Sequence, residues 1–450
     1  MQKEISAFSP EFKKILQSPE KTAGIKQYFA DIHPHDIFIA CVKLDLPEIA
    51  EIIIALGRPK GIELFEEFDT EQRIEIFPHF SKTWMTGLLE EMSSDERADF
   101  IKALPQGKTE EILPLVARAE RNDIKKLIQY EEGTAGSILT TDYAYLPPEI
   151  TAKEALERLK HQAFDRETIY YVYVTDEQRK LLGFVSLKNI LLASSENLIN
   201  NIMNKRVISV NAAEDTESVS KKLADYDFLA IPVVDNENKL LGIVTIDDVV
   251  DVVREEDTED IYRYGAAGEH IDYIKSTPLS IAQQRIFWLL FLILVGFISG
   301  WIMEQHAARI QSMVAIVFFI PVLLAAGGNA GTQSSTVIIR GLATNEIKMK
   351  DILKIFKKEL FTGLLMGIMM GILAAIRALI MNKNILLGFA VGLAMIITVM
   401  LATILGALLP LLFKRMKLDP ALMSGPFIAS ILDVVAIFIY LRIATFIFRL

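Results

Sequence analysis

Asp433 stands inside an apolar stretch, Ala421 to Leu441, long enough to cross a bilayer. A carboxylate in such a place costs about 2.5 to 3.5 kcal/mol or more, so it faces a partner, a cavity or a conducted ion. Aspartate is too short to reach water from within a span. Arg377, the other charge inside an apolar stretch, sits near the end of its own and has a side chain long enough to snorkel. A second acidic group falls between Ile246 and Tyr264: Asp247, Asp248, Asp251, Glu255, Glu256, Asp257, Glu259 and Asp260. Asp248, Asp251, Glu255 and Glu259 recur at spacings of three and four, which puts their carboxylates on one helix face. Only Arg254 and Arg263 are at hand in the helix to offset the repulsion. The bland reading is a solvated helix; the sharper one is a divalent cation held through oxygen ligands and water. Both point away from soft-metal chemistry.

What is missing narrows the field further. The six histidines, His33, His35, His79, His161, His270 and His306, fall outside the apolar spans, and no His-Glu-x-x-His pair occurs. A membrane metalloprotease therefore lacks its ligands. No Gly-x-x-x-x-Gly-Lys-[Ser/Thr] loop is present for nucleotide hydrolysis. Oxygen donors argue against soft or late metals and leave hard divalent cations, manganese among them, open. The single Cys41 excludes an intramolecular disulfide and reads as a small core residue.

These groups need elements to hold them. Five stretches reach the roughly 20 apolar residues that a helix needs to span about 30 Å: Ile286 to Met303, Ile310 to Ile339, Leu360 to Met381, Ile385 to Phe413 and Ala421 to Leu441. Arg340, Lys348, Lys350, Lys354, Lys357 and Lys358 lie between spans two and three, and Lys414, Arg415 and Lys417 between four and five. Short cytoplasmic loops retain positive charge. The N-terminal part is thus expected in the cytoplasm and the C-terminus outside, in a multi-pass plasma membrane protein that contacts lipid. The start, Met-Gln-Lys-Glu-Ile-Ser, has no apolar signal core, so the first span is expected to direct insertion. The net charge of −10 conceals a division: from Ser276 onward 15 basic and 6 acidic residues give +9, leaving −19 upstream. An acidic surface of that kind repels nucleic acid and attracts cations, though it also serves simple solubility.

Upstream of the spans the chain changes character once more. Apolar residues at helical spacing, such as Ile49, Ile52, Ile53 and Leu56, and prolines at 34, 47, 59, 78, 105 and 114 indicate short stacked helix pairs up to about Gln129. From about Gly136 an offset of 59 residues exposes a duplication. YVYVTDEQRKLLGFVSLKNILL at Tyr171–Leu192 matches AIPVVDNENKLLGIVTIDDVVD at Ala230–Asp251. Each unit reads as strand, polar turn, strand and helix. This resembles a tandem pair of cystathionine-beta-synthase (CBS) domains, which implies an adenine nucleotide such as ATP in the cleft between the units. The family pattern G-x-x-[ST]-x-x-D falls on Gly242, Thr245 and Asp248 in the second unit and on Gly183, Ser186 and Asn189 in the first. Asn189 lacks the charge that strengthens a bond to a ribose hydroxyl.

The order of parts, with YEEGTAGSIL at Tyr130–Leu139, a GGNAGTQ core in Pro321–Gln333 and DPALMSGPFIASILD at Asp419–Asp433, resembles the MgtE family of magnesium transporters and channels over essentially the whole chain. The expected fold is multidomain. It has an all-α superhelical N-terminal domain (1–135), an α/β CBS pair (136–200 and 201–256), an acidic connecting helix and linker (246–275), and an all-α membrane domain of five helices (276–450). The resemblance implies no enzyme but a homodimer with the ion path at its interface. It puts Asp433 and Asn329 in the pore, and cytosolic magnesium bridges acidic groups to hold a closed state. The matching positions are Asp95 and Asp99, Asp225 and Asp227, and the helix carboxylates Asp247, Asp248, Asp251, Glu255, Glu256, Glu259 and Asp260. A CBS-regulated membrane enzyme is the reading from another class, and a manganese or cobalt carrier the nearer alternative.

Overall fold

The computed structural model describes residues 12, 15, 21–42, 44–164, 166–268, 271, 273, 274, 276–420 and 425–449. The opening Met1 to Ser6, His270 and the first residues of the fifth expected span, 421–424, lie outside that set. The chain divides into two compact units, Met1–Arg254 and Glu255–Leu450.

The first unit begins with short helices: α1 (Lys21–Tyr28), α2 (Pro34–Cys41), α3 (Leu46–Leu56), α4 (Arg58–Glu66), α5 (Thr70–Ile76), α6 (Lys82–Glu91), α7 (Ser94–Ala103), α8 (Gln106–Ile112) and α9 (Arg118–Leu127). Their prolines act as start signals. Pro34, Pro47 and Pro59 occupy the first two positions of α2, α3 and α4, where the missing N–H costs nothing. The faces turned inward meet in one core in which Ile52, Ile53, Leu64, Phe65 and Phe100 are fully buried. Cys41 belongs to that core, and burial pushes its thiol up to about 12, which leaves it unreactive at neutral pH.

Two small sheets follow, each of three strands. The first has the order β1 (Tyr143–Leu146), β2 (Thr168–Thr175), β3 (Leu181–Ser186), and the second β4 (Val210–Asn211), β5 (Ala230–Val234), β6 (Leu240–Thr245). In both, the first pair is parallel and the second antiparallel. The duplication persists down to single hydrogen bonds. Asp176 Oδ1 accepts from the amides of Gln178 and Lys180, and Asp235 Oδ1 from those of Glu237 and Lys239. Arg179 and Asn238 take the same left-handed conformation at φ 64° and 62°. Helices α10 (Ala152–Gln162), α11 (Leu187–Leu192) and α12 (Ile199–Ile202) accompany the first sheet, and α13 (Thr216–Tyr226) the second. Helix α14 (Ile246–Tyr264) runs on directly from β6, and the division between units falls within it.

The second unit holds five helical stretches long and apolar enough to cross a membrane. They are built on α15 (Pro278–Gln305), α17 (Ile320–Ala343), α18 (Ile352–Asn382), α19 (Ile385–Arg415) and α20 (Gly425–Phe448), with a short α16 (Ala307–Ser312) between the first two. The stretch expected as one span from Ile310 to Ile339 is in fact three pieces: α16, a 3-10 segment at Val314–Phe319, and α17. Pro321, near the start of α17, lacks the N–H that would carry a straight α-helix through. Helix α19 is the centre of this unit. Along its length Leu387, Ala390, Val391, Ala394, Met395, Val399 and Ala402 are buried, whereas α15 keeps most of its apolar residues exposed.

Candidate functional site

Glycine governs how closely the membrane helices approach. A methyl group on Gly328 of α17 would touch Ala429 of α20 at 3.5 Å, and one on Gly331 would lie 2.0 Å from Leu432 Cδ1 and 3.1 Å from the Ala402 carbonyl oxygen. From α19, a methyl on Gly406 would fall 2.2 Å from the Gly331 carbonyl oxygen. The backbones of α17 and α19 are therefore in direct contact, as small residues in membrane helices allow. Asn329 follows Gly328 and Asp433 follows Leu432, so the two residues singled out for ion passage lie on a tightly packed helix pair. Asn329 is exposed and Asp433 half-buried. Among the described residues no hydrogen-bonding or ion-pair partner meets Asp433.

The end of α14 is pinned to the same helices. Tyr264 donates or accepts at Thr336 Oγ1 (2.6 Å), lies 3.3 Å from the Thr332 carbonyl oxygen, and packs its ring near Gly425 at the start of α20. Arg263 pairs with Glu259 one turn back and with Asp419 at 2.5 Å, and Arg340 reaches Asp257 at 3.4 Å. Glu255, Glu256, Glu259 and Asp260 belong to this second unit, and Asp251, paired with Arg254 at 3.4 Å, to the first.

Within the first unit the acidic groups gather around the start of α7. Ser94 fixes that start: its hydroxyl is 3.0 Å from Thr140 Oγ1 and accepts from the Thr141 amide at 2.7 Å, while its amide donates to Asp142. Asp95 next in line has its Oδ1 buried with no partner among the described residues. Burial first, then the negative charges of Asp248 and Glu96, push its carboxyl up to about 7. Asp248, at the start of α14, is pushed up to about 6, again chiefly by burial, with Asp247 and Glu167 adding repulsion and Thr245 opposing it. Glu66 stands up to about 7 for the same first reason. Asp99 and Asp247 are exposed at the edge of this group. Asp225 and Asp227 are exposed at the end of α13, where Asp227 closes the helix at φ 53°. Among the described residues no three His, Cys, Asp or Glu side chains converge closely enough to hold an ion unaided.

Glu66 and Glu167 escape a reading of the sequence because they lie some 30 and 70 residues from Asp95. Glu66 is brought to Asp95 by accepting from the Ser93 amide at 3.2 Å, and Glu167 by the docking of α7 on residues 140–142.

The expected nucleotide residues flank an apolar cleft. It is narrow, and is lined by Tyr171, Tyr173, Phe184, Val207, Phe228 and Pro232 among others. Tyr171 pairs with Ser186 across β2 and β3, and Ala230, also in the lining, with Thr245 across β5 and β6. Tyr171 meets Phe184 and Phe228 edge-on at 5.8 and 6.4 Å. The Tyr173 hydroxyl is buried with no partner among the described residues, a donor that a polar ligand would satisfy. Thr245 Oγ1 meanwhile donates to Asp248 Oδ2 at 2.6 Å, and Ser186 Oγ accepts from the Asn189 amide at 3.2 Å, so the Ser186 hydroxyl caps α11 while that of Thr245 is engaged by a carboxyl in the first turn of α14.

Comparison with known proteins accounts for the whole arrangement. The divalent cation transporter model of the MgtE family matches residues 320–443, the MgtE intracellular N domain residues 32–133, and the CBS domain residues 135–196 and 199–255. The magnesium transporter MgtE of Thermus thermophilus is 34% identical over 427 residues, 94% of this chain and 95% of that one. Its Bacillus subtilis counterpart is 32% identical, over 96% and 95%. The crystal structure of the cytosolic domain of the Mg2+ channel MgtE in complex with ATP is 32% identical with a TM-score of 0.52, covering 54% of this chain and 98% of that one. The chain belongs to the MgtE family of magnesium transporters.

Proposed function

We propose that this protein carries Mg2+ into the cell across the plasma membrane, with Asp433 and Asn329 in the ion path, and is closed by Mg2+ on its cytoplasmic side. The observation that carries the reading is Asp433: a half-buried carboxyl on a membrane helix, free of any partner among the described residues, one position from the Gly331–Leu432 contact. Magnesium sheds its water reluctantly and prefers octahedral oxygen, so one carboxylate per subunit with amide and carbonyl oxygens suits a hydrated ion. The path is formed by two copies of the chain, the N-terminal part faces the cytoplasm, and residues 246–275 act as the link between sensor and path.

The regulatory part of the reading rests on Asp95 and Asp248. The charge of Asp248 raises the proton affinity of Asp95, and that of Asp247 and Glu167 raises the proton affinity of Asp248, a repulsion relieved by a bound proton, by separation or by a divalent cation. Magnesium taken up there, and by Asp99, Asp225, Asp227, Asp247, Asp251, Glu255, Glu256, Glu259 and Asp260, favours the compact closed state by its differential affinity for it. An adenine nucleotide binds between the two CBS units once the aromatic cleft widens, with Tyr171 and Phe228 beside the base and Ser186, Thr245 and Asp248 toward the sugar and phosphates. It acts as a regulatory ligand and is not hydrolysed.

The test is Mg2+ flux into liposomes holding the purified protein, wild type against Asp433→Ala, with low and high Mg2+ on the domain side. Flux that requires Asp433 and is suppressed by domain-side Mg2+ supports both parts. Flux surviving the substitution removes Asp433 from the path.

A further inference from the structure

Besides Asp433 and Glu304, one further acidic residue lies within the membrane helices: Glu359, in the second turn of α18, directly after the exposed Lys357 and Lys358. Its carboxyl accepts a hydrogen bond from Ser334 Oγ, and Ser334 is buried on α17, the helix that carries Asn329. Its own backbone is held as well. The Glu359 carbonyl oxygen accepts from Thr403 Oγ1 of α19 at 3.0 Å, and one turn further Gly363 sits so close to α19 that a methyl there would lie 2.8 Å from the Met400 Cα. Glu359 is thus fixed to α19 by backbone and reaches α17 by side chain.

A serine in a helix can satisfy its hydroxyl on the carbonyl four residues back at only a small cost in helix stability. Enlisting a carboxyl inside an apolar domain is the expensive way to do it. The glycine faces explain why it is used. Gly327, Gly328 and Gly331 let α17 approach α19 and α20 so closely that a small axial shift would drive backbone against backbone. A directional bond from a third helix sets the axial position.

We infer that Glu359 is a positioning residue for the ion path: through Ser334 it sets the register of α17 and hence the placing of Asn329 relative to the helix of Asp433. This rests on the reading of Asn329 and Asp433 as residues of the path. The experiment uses the full chain in liposomes and compares Glu359→Ala, Glu359→Gln, Ser334→Ala and Asp433→Ala for Mg2+ flux and for the Mg2+ to Ca2+ permeability ratio. Glu359→Ala and Ser334→Ala are expected to lower the ratio alike, by about threefold to tenfold. The double variant is expected to lose no more than either single one. Glu359→Gln, whose amide oxygen still accepts from Ser334, is expected to keep the wild-type ratio. A glutamine variant as damaged as the alanine one would make Glu359 an ion ligand and overturn the proposal. So would a silent Ser334→Ala, or a loss of folded protein with the ratio unchanged. Full flux in Asp433→Ala would overturn the pore reading beneath it, whereas an inactive Asp433→Ala beside a Glu359→Ala of wild-type selectivity overturns the positioning role alone.

Discussion

Asp95 and Asp248 hold their protons up to about 7 and about 6, well above the value near 4 of a free aspartate. The sign of the consequence is definite. Between those limits the folded state binds more protons than the unfolded one, so this contribution to stability is present in full at low pH and is lost as pH rises through 6 to 7. In chelator, the unfolding temperature of the full protein should fall by several degrees between pH 5 and pH 8. Added Mg2+ should restore it at pH 8 and change little at pH 5. Asp95→Asn should flatten the pH dependence, and a profile as steep in that variant as in wild type would show that other groups set it. The sequence displays the carboxylates of α14 because helical spacing exposes a shared face. It cannot display Glu66 or Glu167, whose proximity to Asp95 depends on how α7 docks, nor the bond between Glu359 and Ser334, which joins helices 25 residues apart.

Helix α14 is where sensing carboxylates and membrane helices meet in one element. Tyr264 holds its end to Thr332 and Thr336 of α17, and Arg263 holds it to Asp419 ahead of α20. Tyr264→Phe removes one or two hydrogen bonds and nothing else. It should raise the domain-side Mg2+ needed for half-closure by about tenfold, read as residual flux across a Mg2+ series. Unchanged suppression would mean that these bonds do not hold the closed state. Gly406→Ala tests a different property of the elements: its methyl would strike the Gly331 carbonyl oxygen, and the expected result is loss of folded membrane helices with the first unit, Met1–Arg254, still folded. Five spans were legible from hydropathy because their apolar runs are long. The break ahead of α17 was not, since Pro321 and Pro410 look alike in sequence, yet the first starts a helix and the second lies within one.

Across the whole molecule the charge is sorted, −19 before Ser276 and +9 from there on. On the proposed reading, an acidic sensor that collapses to close the path stores repulsion that cations relieve, and the balance belongs to the molecule as a two-state system. Neutralising Asp251, Glu255 and Glu259 together should therefore leave uptake running at high internal Mg2+, measured as Mg2+ accumulation in cells or loaded liposomes. Normal shut-off in that triple variant would place the sensor elsewhere. The architecture was readable because the CBS duplication and the apolar runs are patterns within the chain, whereas the cleft between Tyr171 and Phe228 is a product of two sheets folding.

The backbone contact between Gly331 and Gly406 has an electrical consequence. Helices that touch through their main chains cannot part by degrees, because no side chain can swing aside to widen the gap. If ions follow the proposed path, the current through a single assembly in a planar bilayer should then switch between two fixed levels, and graded intermediate levels would show that these helices part otherwise.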